Sequence, residues 1–209
     1  MNGTVWERIF RGNLSPLVCL SGGGILIMAS DRLAHALITA SALLWVYCLS
    51  SLAVFFGIRI FPRRGRLTVL CFLASFVAGI YSLLLWLLAP FSVLEVFFVV
   101  SLVPLFYMAS GIFKRFEALS LADTLFLSAS EALVLGALTV ILALIREPLG
   151  FSSLSLPGGA QGIILLFSFN SESFLHIRLA ASSSGALLLL GYFWGLYRYF
   201  KTIHAEKGK

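Results

Sequence analysis

Carboxylates set inside apolar runs are the residues of this sequence most open to a chemical role. Glu131 lies near the middle of the stretch from Leu121 to Ile145. An ionisable side chain at membrane depth costs about 2.5–3.5 kcal/mol on insertion scales. Glu131 is therefore a candidate station for a proton or sodium ion, the alternative being a neutral acid held in a polar seam between helices. Asp123 and Glu95 lie nearer the ends of their runs, where capping or solvated roles are expected. Arg146 and Glu147 are adjacent in sequence, so they do not share a helix face. They are expected to anchor a helix end or to meet a partner. Cys19, Cys48 and Cys71 are an odd count without a CxxC pair, which gives neither a disulfide framework nor a zinc site. His35, His176 and His204 are scattered, and no metal site is expected.

The elements that must position these groups follow from composition. Of the 209 residues, 60% are hydrophobic and 11% charged, whereas a soluble domain carries roughly 25% charged residues. No soluble fold of this size has enough interior for the excess, so lipid must be the solvent for most of these side chains. Six stretches are long and apolar enough to be spans of about 20 residues: about Leu14–Ser30, Leu33–Ile58, Leu67–Leu88, Val93–Phe113, Leu121–Ile145 and Leu179–Phe200. They lack period-two alternation, and only helices or closed barrels satisfy the backbone in lipid. The expected fold is an all-α integral membrane protein with six transmembrane helices in a single domain over residues 1–209.

The net charge of +6 is spread in short clusters between the runs. With six spans, twelve of the fifteen Lys and Arg residues fall on one side, leaving Arg32, Arg146 and Arg178 on the other. The positive-inside rule then places both termini in the cytoplasm. The chain shows no basic-aromatic stripe for nucleic acid, and its amphipathic start does not look like a cleaved signal peptide. Residues 147–178 are too long for a tight hairpin and are expected to form an outer-face cap or a surface loop.

The first and fourth spans carry helix-disfavouring residues, Gly22–Gly24 in one and Pro104 with Gly111 in the other. Their tails, GILIMAS at 24–30 and PLFYMAS at 104–110, both end in Met-Ala-Ser. An odd number of spans separates them, so the two halves, about 13–90 and 91–200, would run in opposite directions. Broken helices at matching positions of inverted repeats point to a site near the midplane.

The run ALTVILALIREPLG at 137–150, the long loop after it, and the entry to the last helix at Gly185 and Ala186 resemble a known family. That family is the E subunit of Rnf-type electron transport complexes and the D subunit of the sodium-translocating NADH:quinone reductase. Its Ile-Arg-Glu-x-Leu-Gly signature is matched by Ile145, Arg146, Glu147, Leu149 and Gly150. The resemblance implies two inverted three-helix repeats with broken first and fourth helices. It also implies partnership with other Rnf-type subunits, especially a homologous six-helix subunit of opposite topology. Family members place one cysteine in each broken helix, and two chains together hold a [2Fe-2S] cluster. Here Gly24 and Ser110 stand at those positions. Neither replaces a thiolate, and Cys19 lies five residues away, about 7.5 Å along a helix. No cofactor is therefore expected on this chain.

The resemblance implies an inner-membrane subunit, not catalytic alone, of a translocase that couples ferredoxin/NAD electron transfer to sodium or proton movement. The alternative is a small secondary transporter or substrate-binding membrane component.

Overall fold

The computed structural model describes residues 24–60, 65–111, 120–168 and 182–192, with 195 and 199. The first half of the expected first span, Cys19, Gly22, Gly23, His176, His204 and most of the second half of the sixth span lie outside the described residues. A short helix α1 (residues 24–29) leads through a turn at 30–32 into α2 (Leu33–Ile60). There follow α3 (Arg66–Leu88), α4 (Pro90–Ser110) and α5 (Leu121–Phe151). Four helices, α2 to α5, are long and apolar enough to cross a membrane. A last helix, α6, is described over Ser183–Tyr192 and is capped by Ser182, whose hydroxyl accepts from the Gly185 amide at 3.3 Å.

The helix boundaries have local causes. Pro90 cannot extend α3 but suits the first turn of α4, so Ala89 alone separates the two helices. α5 starts at a reciprocal cap. The Asp123 amide donates to Ser120 Oγ at 3.2 Å, and Ser120 Oγ donates to Asp123 Oδ2 at 2.7 Å. Asp123 thus has the capping role expected from its position.

α2 is the central helix, in contact with α3, α4, α5 and the hairpin strand β1. Its buried Leu43, Val46, Tyr47 and Val54 face Leu70 and Ala74 of α3, Val100, Val103 and Tyr107 of α4, and Ala132 and Leu135 of α5. The outward faces stay apolar. Leu94 is 82% exposed, Leu87 75% and Phe72 74%, a pattern suited to lipid rather than water. A groove of about 420 Å³ between α3 and α4 is lined by Gly79, Ser82, Trp86, Phe97 and Pro104 among others. No residue of α2 or α5 lines it.

Three sequence expectations change. The fourth span is not broken at Pro104: α4 runs through it and stops at Gly111, whose φ of 65° is left-handed. The missing proline amide is tolerated because Val100, Val103 and Tyr107, all fully buried, hold both sides of the gap. The fifth helix does not end at Ile145 but continues through Pro148 to Phe151, so Arg146, Glu147 and Gly150 are helical and buried. The connection beyond it contains an antiparallel hairpin, β1 (Ser153–Pro157) with β2 (Ile163–Ser168), irregular between Leu154 and Ser155. Leu154 and Leu156 of β1 pack against Leu33, Ala36 and Ala143, while Ile164–Phe167 of β2 are exposed.

α2 and α5 come close at Gly136, where an added Cβ would lie 3.1 Å from Ala40 Cβ. Small residues at such a crossing let two backbones meet in lipid. Gly136→Leu must push the helices apart, at a cost of about 1–3 kcal/mol. Thermal unfolding in detergent should show this loss, whereas Leu138→Ala, on the exposed side of α5, should change little.

Candidate functional site

The turn at 30–32 joins two helices, so it exposes the last carbonyls of α1 and the first amides of α2. In a low-dielectric setting each such group needs a partner. All four residues of the connection from Ser30 to Leu33 have one. Arg146 Nη1 donates to the Ile27 carbonyl at 2.9 Å and to Ser30 Oγ at 3.0 Å. Glu147 Oε2 accepts from the Leu33 amide at 2.7 Å. Arg32 lies over the Phe151 ring, 5.7 Å from its centroid. Asp31 Oδ1 accepts from the Arg32 amide at 2.7 Å and lies 2.8 Å from His35 Nδ1. The cation meets the C-terminus of one helix and the acid meets the N-terminus of the next, each on the side the helix dipole favours. Glu147 is fully buried, and Gly150 is buried one turn further on.

Burial alone would raise the Asp31 carboxyl. The His35 ring, the Arg32 amide and the charge of Arg146 outweigh it and hold the group below its ordinary value. Its contribution to stability is therefore complete above the ordinary carboxylate value, about 3.9, and is lost as pH falls through the lower folded one. Asp31→Asn should lower the unfolding midpoint at pH 7, and the wild-type and variant curves should converge in strong acid. Glu147→Ala leaves the Leu33 amide buried without its acceptor, a cost of about 1–3 kcal/mol. Hydrogen exchange at Leu33 should accelerate in that variant, while Glu147→Gln keeps an acceptor and should retain most of the protection.

The histidine reading changes here. His35 is not isolated. Its Nδ1 faces Asp31 at 2.8 Å, and its Nε2 faces Glu95 Oε2 at 2.6 Å. The Asp31–His35 spacing of four residues was the available signal. The Glu95 contact had none.

A second polar centre lies deeper. Tyr47 and Tyr107 are fully buried, with ring centroids 5.1 Å apart in an edge-to-face arrangement. Ser128 Oγ donates to the Thr124 carbonyl at 2.9 Å, so it accepts from Ser51 Oγ at 2.5 Å. Ser51 in turn accepts from the Tyr107 hydroxyl at 3.1 Å. The hydroxyls thus point one way, from α4 through α2 to α5. Tyr47 hydrogen-bonds Ser110, whose own hydroxyl donates to the Tyr107 carbonyl at 2.8 Å. Glu131 is within electrostatic reach of both tyrosines.

The structure thus divides the sequence-derived candidates into two groups. Ser110 and Glu131 lie at the deeper centre, and Gly24 packs against Phe106 of the same helix as Ser110. A Cβ on Gly24 would lie 3.2 Å from Phe106 Cζ, and Phe106 is one helical turn before Ser110. Arg146, Glu147 and Gly150 belong to the turn. Glu131 and Arg146 are fifteen residues apart on one helix, about 22 Å. Tyr47, Tyr107, Ser51 and Ser128 carry no signal in the sequence, because a tyrosine or serine in an apolar run has no pattern that separates seam from lipid face.

Among the described residues no three His, Cys, Asp or Glu side chains are grouped to hold a metal ion, and the two described cysteines, Cys48 and Cys71, are free thiols. Compared with known proteins, the chain matches no family model and no curated sequence.

Proposed function

We propose that this chain is an integral membrane subunit of an Rnf-type ion-motive electron transport complex, one that retains the scaffold of the central pair without its cluster ligands. The observation that carries the reading is the packing of Gly24 against Phe106, one turn before Ser110. It brings the start of the 24–30 segment against the 104–110 segment, which supports a reading of the two as matching parts of repeats that meet. Both segments also end alike. Ser30 Oγ donates to the Ile27 carbonyl at 3.4 Å, and Ser110 Oγ donates to the Tyr107 carbonyl at 2.8 Å. Neither position carries a thiol, so the site has no ligands for iron and sulfur.

In this reading both termini face the cytoplasm. The turn at 30–32 and the β-hairpin then lie at the outer face. Electrons pass between ferredoxin and NAD on partner subunits, and a homologous six-helix subunit of opposite topology completes the pair. Glu131, beside Tyr47 and Tyr107 in the deeper seam, is the acid of this chain that exchanges a proton or binds a sodium ion during coupling.

Affinity purification from native membranes tests the assignment. The chain should be recovered with several membrane subunits and a flavoprotein, and should add no iron or acid-labile sulfide of its own. A stoichiometric cluster lost on Ser110→Ala would overturn the missing-ligand reading. Recovery alone, with a bound solute, would replace the whole reading by a small secondary transporter. In the assembled complex, Glu131→Gln should reduce ion translocation at least tenfold while electron transfer and subunit recovery persist. Unchanged translocation would remove Glu131 from the path.

A further inference from the structure

The acid–imidazole–acid cluster at the end of the bundle has no part in the function proposed above. His35 is 8% exposed. It sits between Asp31, in the turn before its own helix, and Glu95 of α4, sixty residues away in sequence. A neutral imidazole has one N–H donor and one lone pair. With a carboxylate oxygen at each ring nitrogen, only the doubly protonated ring donates to both. The bonds are 2.8 and 2.6 Å long, within the range of charge-assisted contacts.

We propose that Asp31, His35 and Glu95 form a proton-operated latch between α2 and α4, closed while the imidazole carries both protons and opened at Glu95 when one leaves.

The two carboxylates are held unequally, and this sets where the latch opens. Asp31 is fixed by the Arg32 amide and lies in the field of Arg146. The Glu95 side chain is 54% exposed and has no other bond among the described residues. The proton on Nε2 therefore passes toward Glu95 and out to water. The bare ring nitrogen then faces a carboxylate oxygen, lone pair against lone pair, and Glu95 swings away, leaving the Tyr107–Ser51 bond deeper in the bundle to join α4 to α2. Other charged groups around the ring are few. α5 brings Arg146 and Glu147, both committed to the turn. α3 brings Tyr81, whose hydroxyl donates to the Ile38 carbonyl at 3.0 Å. The β1 strand, Ser-Leu-Ser-Leu-Pro, has no titratable side chain.

The latch does not feed the deeper seam. Buried Ile38, Ala42, Leu43 and Val46 lie between His35 and Tyr47 on α2, with Thr39 the one buried polar side chain in that stretch. The cluster opens to solvent through the half-exposed Glu95, so its test is independent of the electron-transport assignment.

The full chain in lipid nanodiscs can be unfolded thermally at pH 6 and pH 9.5, as wild type, Glu95→Gln, His35→Gln and the double variant. At pH 6, Glu95→Gln should lower the midpoint by roughly 2–4 °C. The two single changes should not add, because each removes the same bond. At pH 9.5 the wild-type latch is already open, and Glu95→Gln should cost nothing. An equal loss at both pH values would make the contact an ordinary structural hydrogen bond and overturn the latch. Absence of loss at pH 6 would overturn it as well. Glu95 is exposed enough for that variant to fold, so wild type against Glu95→Gln decides the matter even if His35→Gln does not.

Discussion

A helix that ends and restarts inside an apolar bundle must find partners for its loose carbonyls and amides, and here two adjacent residues of a remote helix supply them. Arg146 serves the end of α1, and Glu147 serves the start of α2. Consecutive residues point to different faces of a helix, so one dipeptide reaches both sides of the break. The signs match the helix dipoles, positive at the carbonyl end and negative at the amide end. Because Glu147 is fully buried, this contact fixes the depth and rotation of α5 against α2. The Gly136–Ala40 approach, the docking of β1 beside Ala143, and the seam where Glu131 meets Tyr47 and Tyr107 all follow from that register.

The bundle therefore carries two polar centres joined by one helix. At the turn, Arg146 and Glu147 of α5 hold Ile27, Ser30 and Leu33 by short bonds. In the deeper seam, the hydroxyls of Tyr107, Ser51 and Ser128 form a directed chain across three helices, ending on the Thr124 carbonyl. A layer of buried α2 side chains, apolar except for Thr39, lies between the two centres. That arrangement is what the proposed role asks of this chain, a fixed end beside a seam that holds one intramembrane acid in place.

Much of the architecture could be read from residue order. Four of the expected spans correspond to α2, α3, α4 and α5, displaced by a few residues at their ends. The capping role of Asp123 also followed from its position. What failed was local in a different sense. Pro104 suggested a break, yet α4 passes through it because neighbouring residues are pinned from outside, and α5 likewise runs through Pro148. Glycine at 111 did stop α4, since its left-handed φ needs no tertiary support. The resemblance singles out Arg146, Glu147 and Gly150 but offers no physical reason for them. The reason is the turn at residues 30–32, more than a hundred positions earlier.

Hydrophobic length, charge bias and helix caps act over a few residues, so the order of amino acids was enough for the helical class, most span limits and the membrane setting. Contacts between distant residues obey no such local rule. Glu147 on Leu33 spans 114 positions, His35 on Glu95 spans 60, and Tyr107 on Ser51 spans 56. Each depends on helix rotation, which in lipid is set by small-residue packing and by the need to satisfy buried polar groups rather than by an apolar-against-polar stripe. The acids and tyrosines are plain in the sequence. Which of them face one another is decided only where α5 locks onto the turn.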